Sequence, residues 1–222
     1  MGFKLIAACI LVAAEAYLLG SIVFGILISK HFCHDDVRTH GSGSAGMANM
    51  LRNYGKAAGA ATAVGDVAKG AVAVILGRLI FAWMLPGTGI EPVCGAYLAG
   101  IFAVIGHTLP VYFGFKGGKG VLVCGGAILA LQPLVFLALL VIFLIEFAIT
   151  RIVSLGSIIL AAIYPVLTIC YWVWQGADLF TLVYIGVCSV IMALMVIYMH
   201  RSNIQRLRAG TEYRFGEKKN RE

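Results

Sequence analysis

Charge is what this chain has least of. Only 12% of its 222 residues are Asp, Glu, Lys or Arg, against 61% that are hydrophobic. A soluble domain carries about 25% charged and roughly 45–50% apolar residues, so a water-soluble globular protein is excluded. Acid is the scarcer sign, ten residues against seventeen Lys and Arg, for a formal net charge of +7. The basic residues sit in loops and a tail that flank apolar runs, so nucleic acid is not an expected partner. Cys-x-x-Cys pairs are missing. The six cysteines (Cys9, Cys33, Cys94, Cys124, Cys170 and Cys188) are scattered and lie mostly inside apolar runs, which signals neither a zinc site nor a disulfide framework. They read as small apolar filler, and no metal or cofactor is expected. The nucleotide P-loop is absent as well. Gly118-Lys119 is its nearest approach, but Phe113 stands at the first glycine position and Gly120 where Ser or Thr is required.

What is present is a series of apolar runs. A membrane-spanning helix needs about 20 apolar residues, so seven spans would use roughly 140, leaving loops and a tail but no separate soluble domain. Residues 1–222 therefore read as one all-α, polytopic membrane domain. The runs are Leu5–Ser29, Ala57–Leu79, Pro92–Tyr112, Val121–Leu131, Leu134–Thr150, Ile152–Trp174 and Leu179–Met199. Ala14-Glu15-Ala16 resembles a signal-peptidase site, but the run continues unbroken beyond it and predicts a retained span. Glu15 should face the protein interior. Asp66 and Lys69, three apart on one helix face, should pair inside the protein or sit near an aqueous edge. Val121–Leu131 is too short to span unaided and reads as a thin, protein-buried crossing or a re-entrant piece.

Counting that piece as a crossing places fourteen of the seventeen Lys and Arg on one side. The positive-inside rule makes that side cytoplasmic. The expected topology is about seven transmembrane helices with the N-terminus outside and the C-terminus inside.

Three polar stretches then meet one membrane face. Gly41-Ser42-Gly43-Ser44, Asn49 and Arg52 follow the first span. Gly106-His107 and the seven residues Gly114–Gly120, with Lys116, Gly117, Gly118 and Lys119, follow the third. His200, Asn203, Arg206 and Glu212 follow the last. Glycines let several backbone N–H groups converge, lysines add charge, and a helix beginning near Val121 adds its positive end. The combination suits more than one phosphate beside lipid.

These stretches resemble, in order and over nearly the whole chain, the three motifs of the bacterial membrane-integral acyl-phosphate:glycerol-3-phosphate acyltransferases. The first is Gly20-Ser21-Ile22 with Gly41 through Arg52. The second is Gly106-His107, Pro110 and Phe115–Val121. The third is His200, Asn203-Ile204, Arg206-Leu207, Gly210 and Glu212. Asp66-x-x-Lys69-Gly70 matches a further family feature. Ser44, Met47 and Ala48 depart from the family's Asn, Ala and Thr, which predicts altered kinetics or a divergent branch, not loss of function. The resemblance implies acyl transfer from acyl phosphate to the 1-hydroxyl of sn-glycerol 3-phosphate, giving lysophosphatidic acid and phosphate. It also implies the bacterial inner membrane, a cytoplasmic-face site and a link to an enzyme that makes the acyl phosphate. The implied catalytic set is Ser42, Arg52, Lys119, His200 and Asn203. Substrate-binding positions would be Gly41, Gly43, Asn49, His107, Lys116, Gly117, Gly118 and Gly120, with the Gly117–Gly118 amides cradling a phosphate or the developing oxyanion. Whether His200 acts as a base or only orients substrate stays open. Glu212 reads as a tail-folding partner. Three other readings compete. One is a transporter for a small phosphorylated solute. Another is an acyltransferase using His31 and Asp36 as a base and its orienting carboxylate. The last is a structural protein with a lipid-binding basic tail.

Overall fold

A computed structural model describes residues 2–216. Lys218, Lys219 and Arg221, counted in the charge asymmetry, lie outside the described residues. All regular structure among the described residues is helical: α1 (Gly2–Gly20), α2 (Phe24–Phe32), α3 (Met47–Met84), α4 (Val93–Thr108), α5 (Val121–Leu131), α6 (Pro133–Thr150), α7 (Val153–Trp174), α8 (Leu179–Met199) and α9 (Arg201–Arg208), with single 3-10 turns at Val37–Thr39 and Val111–Phe113. Six segments are long and apolar enough to cross a membrane: Gly2–Phe32, Met47–Met84, Val93–Phe113, Pro133–Thr150, Val153–Trp174 and Leu179–Met199. Val121–Leu131 is a shorter apolar helix. The architecture is that of a polytopic membrane protein.

Two expectations need correction. The first apolar run is not one helix; it breaks at Ser21-Ile22-Val23 into α1 and α2. Hydropathy alone is blind to this break, because Ile22 and Val23 are as apolar as their neighbours. The second span starts ten residues earlier than Ala57. Met47–Met84 is continuous but for a kink at Gly55, whose φ of 87° and ψ of −177° are open to glycine and strained for other residues. Asn49 and Arg52 therefore stand on a helix, not in a loop.

The break in the first run would strand backbone carbonyls inside the bilayer, where no water can satisfy them. Lys69 of α3 supplies the donors. Its Nζ donates to Gly20 O (3.1 Å), to Ile22 O (2.7 Å) and to His107 Nδ1 on α4 (2.9 Å). The same ammonium pairs with Asp66 Oδ1 at 2.9 Å. Asp66, Lys69 and His107 are all buried, at 1%, 5% and 3% exposure. The expected Asp66–Lys69 pair is thus internal, and it joins α1, α2, α3 and α4.

Close helix approach depends on glycine at a few crossings. A side chain at Gly20 would run into Ala103, and one at Gly106 into Tyr17 and Ser21, so α1 and α4 touch backbone to backbone. Gly70 against Val123 and Gly126 against Val67 do the same for α3 and α5. The short α5 is thereby held against protein. Gln132, fully buried, ends it and accepts a hydrogen bond from Thr168 of α7 at 3.3 Å, while Pro133 opens α6. Glu15 is half-buried with both carboxylate oxygens shielded from solvent.

Lys69→Met strands Asp66 and two carbonyls in the interior. Breaking a buried pair from one side costs about 3–5 kcal/mol. Thermal unfolding in detergent should show that loss, and the double change Lys69→Met with Asp66→Leu should recover part of it. An unshifted midpoint for Lys69→Met contradicts this account.

Candidate active site

The first segment is shaped by Asn49. Its amide donates to Val37 O (3.1 Å) and His40 O (3.0 Å), while its Oδ1 accepts from Ser42 N–H and from Asn53 Nδ2, both at 3.1 Å. Two donors and two acceptor sites are all the side chain has. Asn49, 2% exposed, therefore holds the loop from behind and has no capacity left for a ligand. Gly41 and Gly43 have φ of 58° and 69°, and a side chain on Gly41 would meet Asn49 Oδ1. Ser42 is left exposed at the rim. Arg52 also faces outward. Its Nε donates to Ala48 O at 3.0 Å, and its guanidinium lies 4.7 Å over the ring of Tyr213 from the C-terminal segment.

The glycine-lysine loop departs from expectation in one respect. Gly117 N–H donates to Thr108 O (3.3 Å) and Gly118 N–H to His107 O (3.0 Å). These amides tie the loop to the C-terminal end of α4 and cannot also cradle an anion. Any side chain on Gly118 would collide with the His107 ring, so His107 lies beneath the loop and supports it. The donors left for an anion belong to the first turn of α5, which has no intrahelical acceptors and follows Gly120 in a left-handed conformation (φ 82°). Lys116 is exposed at the outer edge. Lys119 turns inward, and its Nζ donates to Asn203 Oδ1 at 2.5 Å.

The third segment is organised by Glu212. Its Oε1 accepts from Asn203 Nδ2 (2.7 Å) and from Ser154 Oγ of α7 (2.9 Å); its Oε2 accepts from Arg206 Nε (2.7 Å). Burial would raise its pKa, but these three hydrogen bonds outweigh burial and hold it below the usual carboxylate range. Glu212 is thus a tail-folding partner. Arg206 and Ser154 join the site through that carboxylate. No sequence signal points to Ser154, an ordinary polar residue at the start of an apolar helix.

Two titratable groups are poised. Burial pushes Lys119 down to about 8; Glu212 opposes this, while Arg206 and Arg52 add to it. Burial likewise pushes His200 down to about 4; the Val196 carbonyl and Glu212 oppose this and Lys119 adds to it. His200 is therefore neutral near pH 7. Its Nδ1 sits 2.8 Å from Val196 O and must carry the proton there, so Nε2 holds the lone pair. Arg52, Lys119, His200, Asn203 and Arg206 thus form one basic, partly buried cluster, with Ser42 on the first loop's rim. A cluster of that kind can hold phosphate and accept a hydrogen bond from a hydroxyl.

His31 and Asp36 make no dyad. His31 Nδ1 donates to Leu27 O (3.1 Å), and the Asp36 carboxylate is taken by Arg38 (2.7 Å) and Lys30 (3.6 Å).

Comparison with known proteins bears on the family and the fold. The sequence model of the family described as glycerol-3-phosphate acyltransferase matches residues 10–210. A glycerol-3-phosphate acyltransferase from Clostridioides difficile (strain 630) is 42% identical, over 95% of this chain and 97% of that one. Another from Carboxydothermus hydrogenoformans is 39% identical, over 95% and 98%. Among solved structures, a crystal structure of PlsY (YgiH), an integral membrane glycerol 3-phosphate acyltransferase in its glycerol 3-phosphate form, superposes with a TM-score of 0.77 at 33% identity, covering 94% of this chain and 96% of that one. Its lysophosphatidic acid form gives 0.74.

The low value at Lys119 sets a pH dependence. Its charge is complete well below about 8 and is lost as pH rises through that value. Inorganic phosphate binding to the detergent-solubilised protein should weaken over that range. Lys119→Arg, protonated at every accessible pH, should abolish the alkaline loss. Binding by the unaltered protein that stays flat through this range contradicts the assignment.

Proposed function

This chain belongs to the glycerol-3-phosphate acyltransferase family, and from that premise we propose that it transfers a fatty acyl group from acyl phosphate to the 1-hydroxyl of sn-glycerol 3-phosphate. The products are lysophosphatidic acid and inorganic phosphate. The observation that carries this reading is the Lys119–Asn203 hydrogen bond, which, with Arg52 over Tyr213, brings three distant segments to one place. The glycerol 3-phosphate and lysophosphatidic acid forms of the similar PlsY support a substrate and product of this kind.

Acyl phosphate is a mixed anhydride with a good leaving group, so no covalent enzyme intermediate is required. The glycerol 1-hydroxyl attacks the acyl carbon, the bond from that carbon to the phosphate oxygen breaks, and the hydroxyl proton ends on the departing phosphate. Lys119 and Arg52 hold phosphate, with Arg52 suited to a two-point contact. The first turn of α5 faces the developing negative charge, in place of the occupied Gly117–Gly118 amides. Asn203, fixed between Lys119 and Glu212, and Ser42 on the rim orient substrate. His200 presents a neutral Nε2 to the attacking hydroxyl. A group held near 4 is a weak base, so this reading assigns His200 orientation and the phosphate the proton.

The same reading has α5 complete a seventh crossing, the N-terminus outside and the site at the cytoplasmic face of a bacterial inner membrane. The basic residues at the ends of α2, α6 and α8 support that orientation. An enzyme that forms acyl phosphate would supply the donor.

Purified protein supplied with acyl phosphate and glycerol 3-phosphate should release phosphate and form lysophosphatidic acid, and acyl-CoA should not replace the donor. Arg52→Ala and Lys119→Ala should each lower kcat/KM by about a hundredfold or more, the scale of losing one charge-stabilising donor, without loss of fold. Near-normal turnover in either variant, or uptake of glycerol phosphate into vesicles without acylation, contradicts the proposal.

A further inference from the structure

Asp36 and Arg38 take no part in the chemistry above, yet Arg38, braced by Asp36, donates two hydrogen bonds from the first loop to the turn that opens the glycine-lysine loop. Arg38 Nε and Nη2 donate to the two carboxylate oxygens of Asp36 at 2.9 and 2.7 Å. Its remaining nitrogen, Nη1, crosses to the other loop and donates to Phe113 O at 2.8 Å and Lys116 O at 3.2 Å. Asp36 is fixed in turn, because its Oδ1 also accepts from Arg38 N–H at 3.1 Å and caps the 3-10 turn. The hydrogen bonds from Arg38 hold the Asp36 carboxyl down at about 2, so it remains charged throughout the physiological range.

The two carbonyls that Arg38 bridges bracket Gly114 and Phe115, both left-handed with φ of 65° and 59°. Phe115 is a poor residue for that conformation, and its side chain, 57% exposed, contributes little burial to hold it. Lys119 lies three residues beyond the bridge. We propose that Arg38 is a positioning residue: its guanidinium latches the Phe113–Lys116 turn to the first loop and so sets where Lys119 presents its charge. The planar guanidinium is what the geometry requires, since it reaches a carboxylate on one edge and two carbonyls on the other. An ammonium cannot do both.

The latch rests on the acyltransferase reading only for its effect on turnover, so the test pairs turnover with a readout independent of it. Arg38→Ala should lower kcat/KM for acyl transfer by about ten- to a hundredfold, the scale on which misplaced positioning groups act. Trypsin cleavage after Lys116 should accelerate by a similar factor while the melting midpoint in detergent stays close to the unaltered protein's. Arg38 is partly exposed, so added methylguanidinium can enter the vacated slot and should reverse both effects, whereas sodium chloride of equal ionic strength should not. Arg38→Lys, which keeps charge and fold, should behave like Arg38→Ala. The latch is overturned if Arg38→Lys matches the unaltered protein in both readouts, if cleavage is unchanged in either variant, or if methylguanidinium restores neither readout. If the unaltered protein transfers no acyl group, the functional reading fails, and the cleavage arm still decides the latch.

Discussion

The constraint on which the rest of this structure depends is the ammonium of Lys69. A polytopic membrane protein cannot break a helix in mid-run without satisfying the carbonyls it exposes. Here the break at Ser21-Ile22-Val23 is made tolerable by one buried cation that donates to Gly20 and Ile22, and whose charge is matched by Asp66. The third proton of that ammonium goes to His107. That contact extends the network from the helix break to the site, because the His107 carbonyl receives the Gly118 amide and the His107 ring fills the space under Gly118. The loop carrying Lys119 is thus built on the same network that lets α2 turn away from α1.

Above that base, the site is closed by three links, one between each pair of polar segments. Arg38 ties the first segment to the second, Lys119–Asn203 ties the second to the third, and Arg52 over Tyr213 ties the third to the first. Each segment therefore has two supports. The electrostatics follow from the closure. Burial weakens Lys119's hold on a proton and Glu212 opposes that loss, while Arg206 and Arg52 beside it add to it. A site left short of negative charge is suited to substrates that bring their own.

How much of this was legible in the sequence varies with the kind of interaction. The spans α6, α7 and α8 were readable to within a residue or so, because lipid-facing helices announce themselves by composition. The three polar segments were readable as neighbours because the distribution of Lys and Arg placed all three on one membrane face. Helix-face spacing placed Asp66 and Lys69 on one face and left open an internal pair or an aqueous edge; the structure makes them a pair. Spacing did not show that Lys69 also serves Gly20 and Ile22, since backbone carbonyls have no sequence signature. The same blindness explains Gly117 and Gly118, whose amides looked free until their partners on α4 were seen. It explains Asn49 too, a polar residue within a binding motif that serves as scaffold. Gly55 explains the misplaced start of α3, since a glycine among polar residues reads as loop, whereas here it kinks a continuous helix.

The central proposal is spatial: residues from all three segments share one bound anion. The most direct measurement is a solid-state NMR distance, in lipid bilayers, between the phosphorus of bound glycerol 3-phosphate and the 15N-labelled side chains of Lys119 and Arg52. The account predicts a strong dipolar coupling of phosphorus to both residues in the same sample. A coupling to neither, with the phosphate still bound, would contradict it.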